Sequence, residues 1–179
     1  MRKVEIFLFA VFLISWIIKD IIGLIKYDGL VLTFGVLVAL IYLFGNYWIS
    51  RPLTKTLGTS LITVLYGVVS ACLTFLLMFK MFFLTGTDEL AVLTIISLTI
   101  LVVIDLLVNG TKNLAITKWT TVRFFAISTI ILTLYLIPES SRVKYTYRKY
   151  PEFIKYYSDN ENSMEFYDIY EDYFRKDEE

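Results

Sequence analysis

The chain contains no histidine and one cysteine, which excludes an imidazole general base, an intramolecular disulfide, and histidine-rich or paired-cysteine metal sites. Much acid-base and nucleophilic chemistry goes with them. The lone thiol, Cys72, lies in "VVSACLTF", where apolar neighbours keep a thiol inert, and it reads as a small packing residue. An excess of one charge is missing too. Lys+Arg and Asp+Glu are equal at 17 each, so there is no basic surplus for a phosphate-binding face, and nucleic acid is set aside as a partner. No phosphate-cradling glycine loop or nucleophile elbow occurs, and the triplet "NGT" at Asn109 to Thr111 reads as a plain helix end. The expectation is therefore no catalytic residues, no metal and no cofactor, with a membrane-embedded enzyme the least supported of the readings.

What the chain has in quantity is apolar residue. At 57% hydrophobic and a mean hydropathy of +0.66, it is too apolar for a water-soluble domain, and the lipid bilayer is its expected surrounding. A helix needs about 20 mostly apolar residues to cross the hydrocarbon core. Five stretches approach or exceed that length: 4–25, 30–49, 57–84, 90–108 and 119–137. Open sheet edges fail in lipid, and these segments lack the alternation of a barrel. The expected fold is an all-α, polytopic transmembrane bundle over 1–138, followed by a polar, tyrosine-rich, acidic helical tail over 139–179. The opening "MRKVEIFLFAVFLISW" resembles a signal peptide in its charged start and apolar run, but no small-residue cleavage site follows before Lys19 and Asp20. It reads as a retained first span.

Short links such as "KYDG", "SRPLTK", "TGTDE" and "NGTKN" make sequential helices antiparallel neighbours. Tyr27, Tyr47, Trp48, Trp119 and Tyr135 fall at span ends, as interfacial aromatics do. On the third span, Thr59, Thr63, Gly67 and Ala71 recur every fourth residue and form a small-residue stripe for close helix packing. Gly35 and Ala39 offer a shorter stripe on the second. Lys and Arg are almost balanced between the two membrane faces. The weight of the first span places the N-terminus in the cytoplasm and the C-terminus outside, while the basic cluster after Pro138 argues the reverse. Abundant Ile, Phe, Tyr, Lys and Asn with few Pro suit a bacterial cytoplasmic membrane.

The residue that most invites a function is Asp105, in "LTILVVIDLLVNG", because ionisable residues inside a membrane are expensive. Arg123 lies about one turn into the fifth span at the same depth, so an Asp105–Arg123 pair is expected. Lys80 belongs near the opposite face, close in depth to Asp20, Asp88 and Glu89. Two roles compete: a structural or accessory subunit of a membrane assembly, or a small transporter or channel using Asp105, Arg123 and Lys80. No span is broken in its middle by proline or paired glycines, which weighs towards the structural role.

In the tail, Pro151 opens a short helix and "SDNE" at Ser158 to Glu161 has capping-box spacing for another. Phe166, Ile169, Tyr170 and Tyr173 then share one face of an amphipathic helix. That face either folds back on its own protein or docks a membrane-protein partner, with a homo-oligomer as a further arrangement. The basic segment from Arg142 to Lys149 suits lipid headgroups.

Overall fold

A computed structural model describes residues 2–22, 28–50, 57–84, 86–110, 118–161 and 164–176, and the regular structure among them is entirely helical. Five long helices come first: α1 (Arg2–Ile22), α2 (Asp28–Ser50), α3 (Leu57–Met81), α4 (Thr87–Asn109) and α5 (Lys118–Leu136). Three short ones follow: α6 (Glu139–Thr146), α7 (Pro151–Asn160) and α8 (Phe166–Lys176). Residues 23–25, where the first expected span ends, and the side chains of Tyr27, Tyr47, Trp48 and Trp119 lie outside the described residues.

Among the described helices α2, α3 and α4 are long and apolar enough to cross a membrane, and a fourth crossing arises if α5 and α6 count as one bent span. Five spans do not follow from length and composition alone. α1 falls short through its charges, Glu5, Lys19 and Asp20, whereas α5, which carries Arg123 among several hydroxyls, falls short in length, its described stretch being Thr120–Leu136. Those hydroxyls cost little in a helix. Thr63, Ser70 and Thr74 on α3, and Thr129 and Thr133 on α5, each donate to the carbonyl four residues earlier.

The hub of the bundle is α3, which packs against α2, α4 and α5, while α1 rests on α2. Two-thirds of α3 (67%) is buried against 17% of α4, whose Leu93, Ile96, Ile100 and Leu107 face outward as a lipid-facing surface does. The small-residue stripe Thr59, Thr63, Gly67 and Ala71 is buried throughout. Close approach is visible at Gly67, where an added Cβ would stand 2.5 Å from the Tyr42 carbonyl oxygen and 2.6 Å from the Asn46 Cβ on α2.

At the far end, α3 stops at Met81, and in the turn that follows, Phe83 has a left-handed φ of 57°, a conformation costly for any side chain with a Cβ. The turn swings the Phe83 ring into the tail, 4.8 Å from the Phe166 ring and 6.5 Å from Tyr147. A second core forms there from Val143, Tyr147, Phe153, Tyr157, Phe166 and Ile169. The amphipathic face of α8 therefore folds back on its own protein. Phe166 and Ile169 are buried, and the half-buried Tyr170 and Tyr173 pack against this core. The capping box at Ser158 to Glu161 is corrected, because α7 runs on through Asn160 and leaves Ser158 within a helix.

Candidate functional site

Antiparallel order brings the start of α1, the end of α2, the first half of α3, the end of α4 and the start of α5 to one end of the bundle. Each contributes a polar residue that an apolar interior tolerates only with partners. Arg123 is the centre. Its Nε donates to Glu5 Oε1 at 2.7 Å, and its Nη1 donates to Asn46 Oδ1 at 2.6 Å and weakly to Ser70 Oγ at 3.4 Å. The guanidinium also lies over the Tyr42 ring, 4.4 Å from its centroid. Asn46 is fixed in turn by donating its amide to the Thr63 carbonyl across the α2–α3 contact. This is where the small-residue stripe matters. Gly67 lets α2 come near enough for Asn46 to reach both Thr63 and Arg123.

Asp105 is fully buried beside this cluster. Its Oδ2 accepts from the Tyr66 hydroxyl at 3.1 Å and its Oδ1 from Asn109 Nδ2 at 2.7 Å. The expected Asp105–Arg123 ion pair is corrected: the carboxylate paired with Arg123 belongs to Glu5, 118 residues away. Equal depth does not fix direction around a bundle. The main neighbour of α5 is α3, so Arg123 turns towards the α2–α3 interface and finds Glu5 there.

At the opposite end, the Lys80 ammonium lies 3.8 Å from the Tyr135 ring centroid, and the Tyr135 hydroxyl donates to Asp88 Oδ1 at 2.7 Å. Lys80 and Asp88 are thus joined through one tyrosine, while Glu89 is exposed. Lys19 pairs with Asp28 at 2.8 Å, and Asp20 is half-buried on the wall of a cavity under α6.

Sequence reasoning missed the capping role of two tail arginines. Arg142 donates to the Lys80 carbonyl at the end of α3 at 2.7 Å, and Arg148 donates to the Asp20 and Ile21 carbonyls at the end of α1. Cations suit helix C-termini, where carbonyls lack partners and the dipole is negative. Arg142 and Arg148 thus have partners within the protein, which the sequence did not show, while Lys144 and Lys149 are exposed. Glu5 was missed because it stands among basic residues at the chain start, and Asn46 because it looks like a span end. No group of three or more His, Cys, Asp or Glu among the described residues is placed to hold a metal ion. Comparison with protein-family models, curated proteins and solved structures finds no match.

Proposed function

We propose that the chain is a multi-pass integral membrane protein of five spans that serves as a structural or accessory subunit of a membrane assembly. The observation that carries this reading is that the deep charges are held by fixed partners: Arg123 by Glu5, Asn46 and Tyr42, and Asp105 by Tyr66 and Asn109. Groups locked in one arrangement stabilise a bundle, whereas an ion path needs exchangeable stations at several depths. The same pairing supports α1 as a span. Glu5 and Lys19, two of the charges that lower its apolarity, are neutralised by Arg123 and Asp28 inside the protein. The apolar outer face of α4 offers a surface for lipid or for a helix of a partner or second copy. In the arrangement we favour, the N-terminus is cytoplasmic and the C-terminus external in a bacterial cytoplasmic membrane.

Purification of the intact chain from its native membrane in mild detergent, followed by mass measurement of the complex, tests the subunit role. A stoichiometric protein partner is the expected result, and a lone chain overturns it. One observation favours transport as a second reading: Arg123 Nη2 is buried with no hydrogen-bond partner among the described residues, leaving a donor unused at the centre of the cluster. Ion flux into vesicles containing wild type or Asp105→Asn separates the two. Flux that disappears in a folded Asp105→Asn variant establishes transport; the structural reading expects no wild-type flux and a less stable variant.

A further inference from the structure

Between the end of α5 and the start of α6 the chain bends by 96° at Ile137 and Pro138. Such a bend turns a helix from the direction of a span into the plane of the membrane surface. Inside the elbow lies a cavity of about 410 Å³ whose apolar wall includes Trp16, Met81, Leu134 and Ile137 and whose charged lining is Asp20 and Arg142. Its size is that of a small-molecule site.

Arg142 is 8% exposed. Its Nη1 is used on the Lys80 carbonyl, and one face of the guanidinium is covered by the Phe83 ring at 4.7 Å. Its Nε and Nη2 are buried and have no hydrogen-bond partner among the described residues. Leaving charged donors unmet in a buried place is costly, and these two N–H groups form the edge that binds a phosphate or carboxylate bidentately. An oxyanion alone would not use the apolar wall. A head bearing only negative charge would also face the Asp20 carboxylate.

Resting on the membrane reading above, we propose that this elbow holds the head of an amine-bearing phospholipid, with its phosphate on the Nε and Nη2 edge of Arg142 and its ammonium towards Asp20. The acyl chains leave along α5 past Leu134 and Ile137 into the bilayer. Because both nitrogens are closed to solvent, seating the phosphate takes a small local shift of the wall side chains.

The test is retained lipid, measured by native mass spectrometry on the full-length protein purified in mild detergent and then exposed to defined phospholipids. Wild type is expected to retain about one ethanolamine phospholipid and to prefer it to choline and glycerol phospholipids. Arg142→Met removes the charge-assisted pair and is expected to lower retention by about tenfold or more. Asp20→Asn is expected to keep binding but lose the preference for ethanolamine over choline. Because Arg142 also caps α3, Thr133→Phe provides an independent variant: it fills the cavity from the exposed side of α5 and leaves the Arg142–Lys80 contact in place. It too is expected to expel the lipid, with helicity and monodispersity unchanged.

Wild type that retains no lipid, or a Thr133→Phe variant that retains as much as wild type, overturns the proposal. Full displacement by soluble glycerophosphoethanolamine would assign the site to a free phosphoester and overturn the lipid. The membrane reading fails separately, if the chain leaves the membrane fraction on alkaline washing.

Discussion

Arg123 brings a charge that cannot be discharged into a place that excludes water, and the strength of the bundle at that end depends on what surrounds it. Removing one partner of a buried ion pair leaves the other uncompensated, at a cost of about 3–5 kcal/mol. Glu5→Gln is therefore expected to lower the midpoint of detergent-induced unfolding strongly, although Glu5 sits only one turn from the start of α1. The double variant Glu5→Gln with Arg123→Met is expected to be more stable than Glu5→Gln alone, because no unpaired charge remains. Recovery stays incomplete, since Asn46 also loses the guanidinium it accepts from. If the double variant is no more stable than the single one, the ion pair is not what Glu5 contributes.

At the level of the helix, contact between α2 and α3 depends on an absence of side chain. The Cβ of Gly67→Ala would meet the Tyr42 carbonyl, which is backbone and cannot rotate away. The helices must separate, at about 1–3 kcal/mol for the forced volume. Gly29→Ala, where nothing lies within 4 Å, serves as the neutral control in the same unfolding measurement. This stripe was legible in the sequence because a period of four on one helix needs no knowledge of the partner. The Glu5–Arg123 pair was not, since sequence reports depth along each helix but not the angle at which neighbours face each other. The tail makes a separate prediction. Burial, reinforced by nearby carboxylates, pushes the Tyr157 and Tyr170 phenols up from 10 to about 12. An acid whose folded pKa is raised favours folding fully below its unfolded pKa, so this stabilisation is intact below about pH 10 and is lost as pH rises towards about 12. Tyrosinate absorbance is expected to show Tyr157 and Tyr170, and after them the more strongly raised Tyr147 of the same core, titrating later in the native protein than in the denatured one, with loss of α7–α8 packing as they ionise. Coincident titration curves would mean the tail core is open to solvent.

For the whole molecule the open quantity is how many helices cross, and charge pairing bears on it more than apolar length does. Helices α2, α3 and α4 qualify by themselves, but α1 qualifies only if Glu5 and Lys19 count as the neutralised halves of pairs with Arg123 and Asp28. Hydropathy scores one segment at a time and cannot see such a partner, which is why α1 does not qualify by composition, while α5, described over Thr120–Leu136, counts only together with α6 as one bent span. The Glu5–Arg123 contact ties the start of α1 to the start of α5. If both helices cross, exposed Lys3 and exposed Lys144 lie on opposite sides of the membrane. In a Cys72→Ser background, Lys3→Cys and Lys144→Cys are accordingly expected to react with a membrane-impermeant maleimide from opposite sides, Lys144→Cys on intact cells and Lys3→Cys on inverted vesicles. Labelling of both from one side would leave an even number of crossings between them, and α1 or α5 would then lie along the surface with its ion pair at the membrane edge.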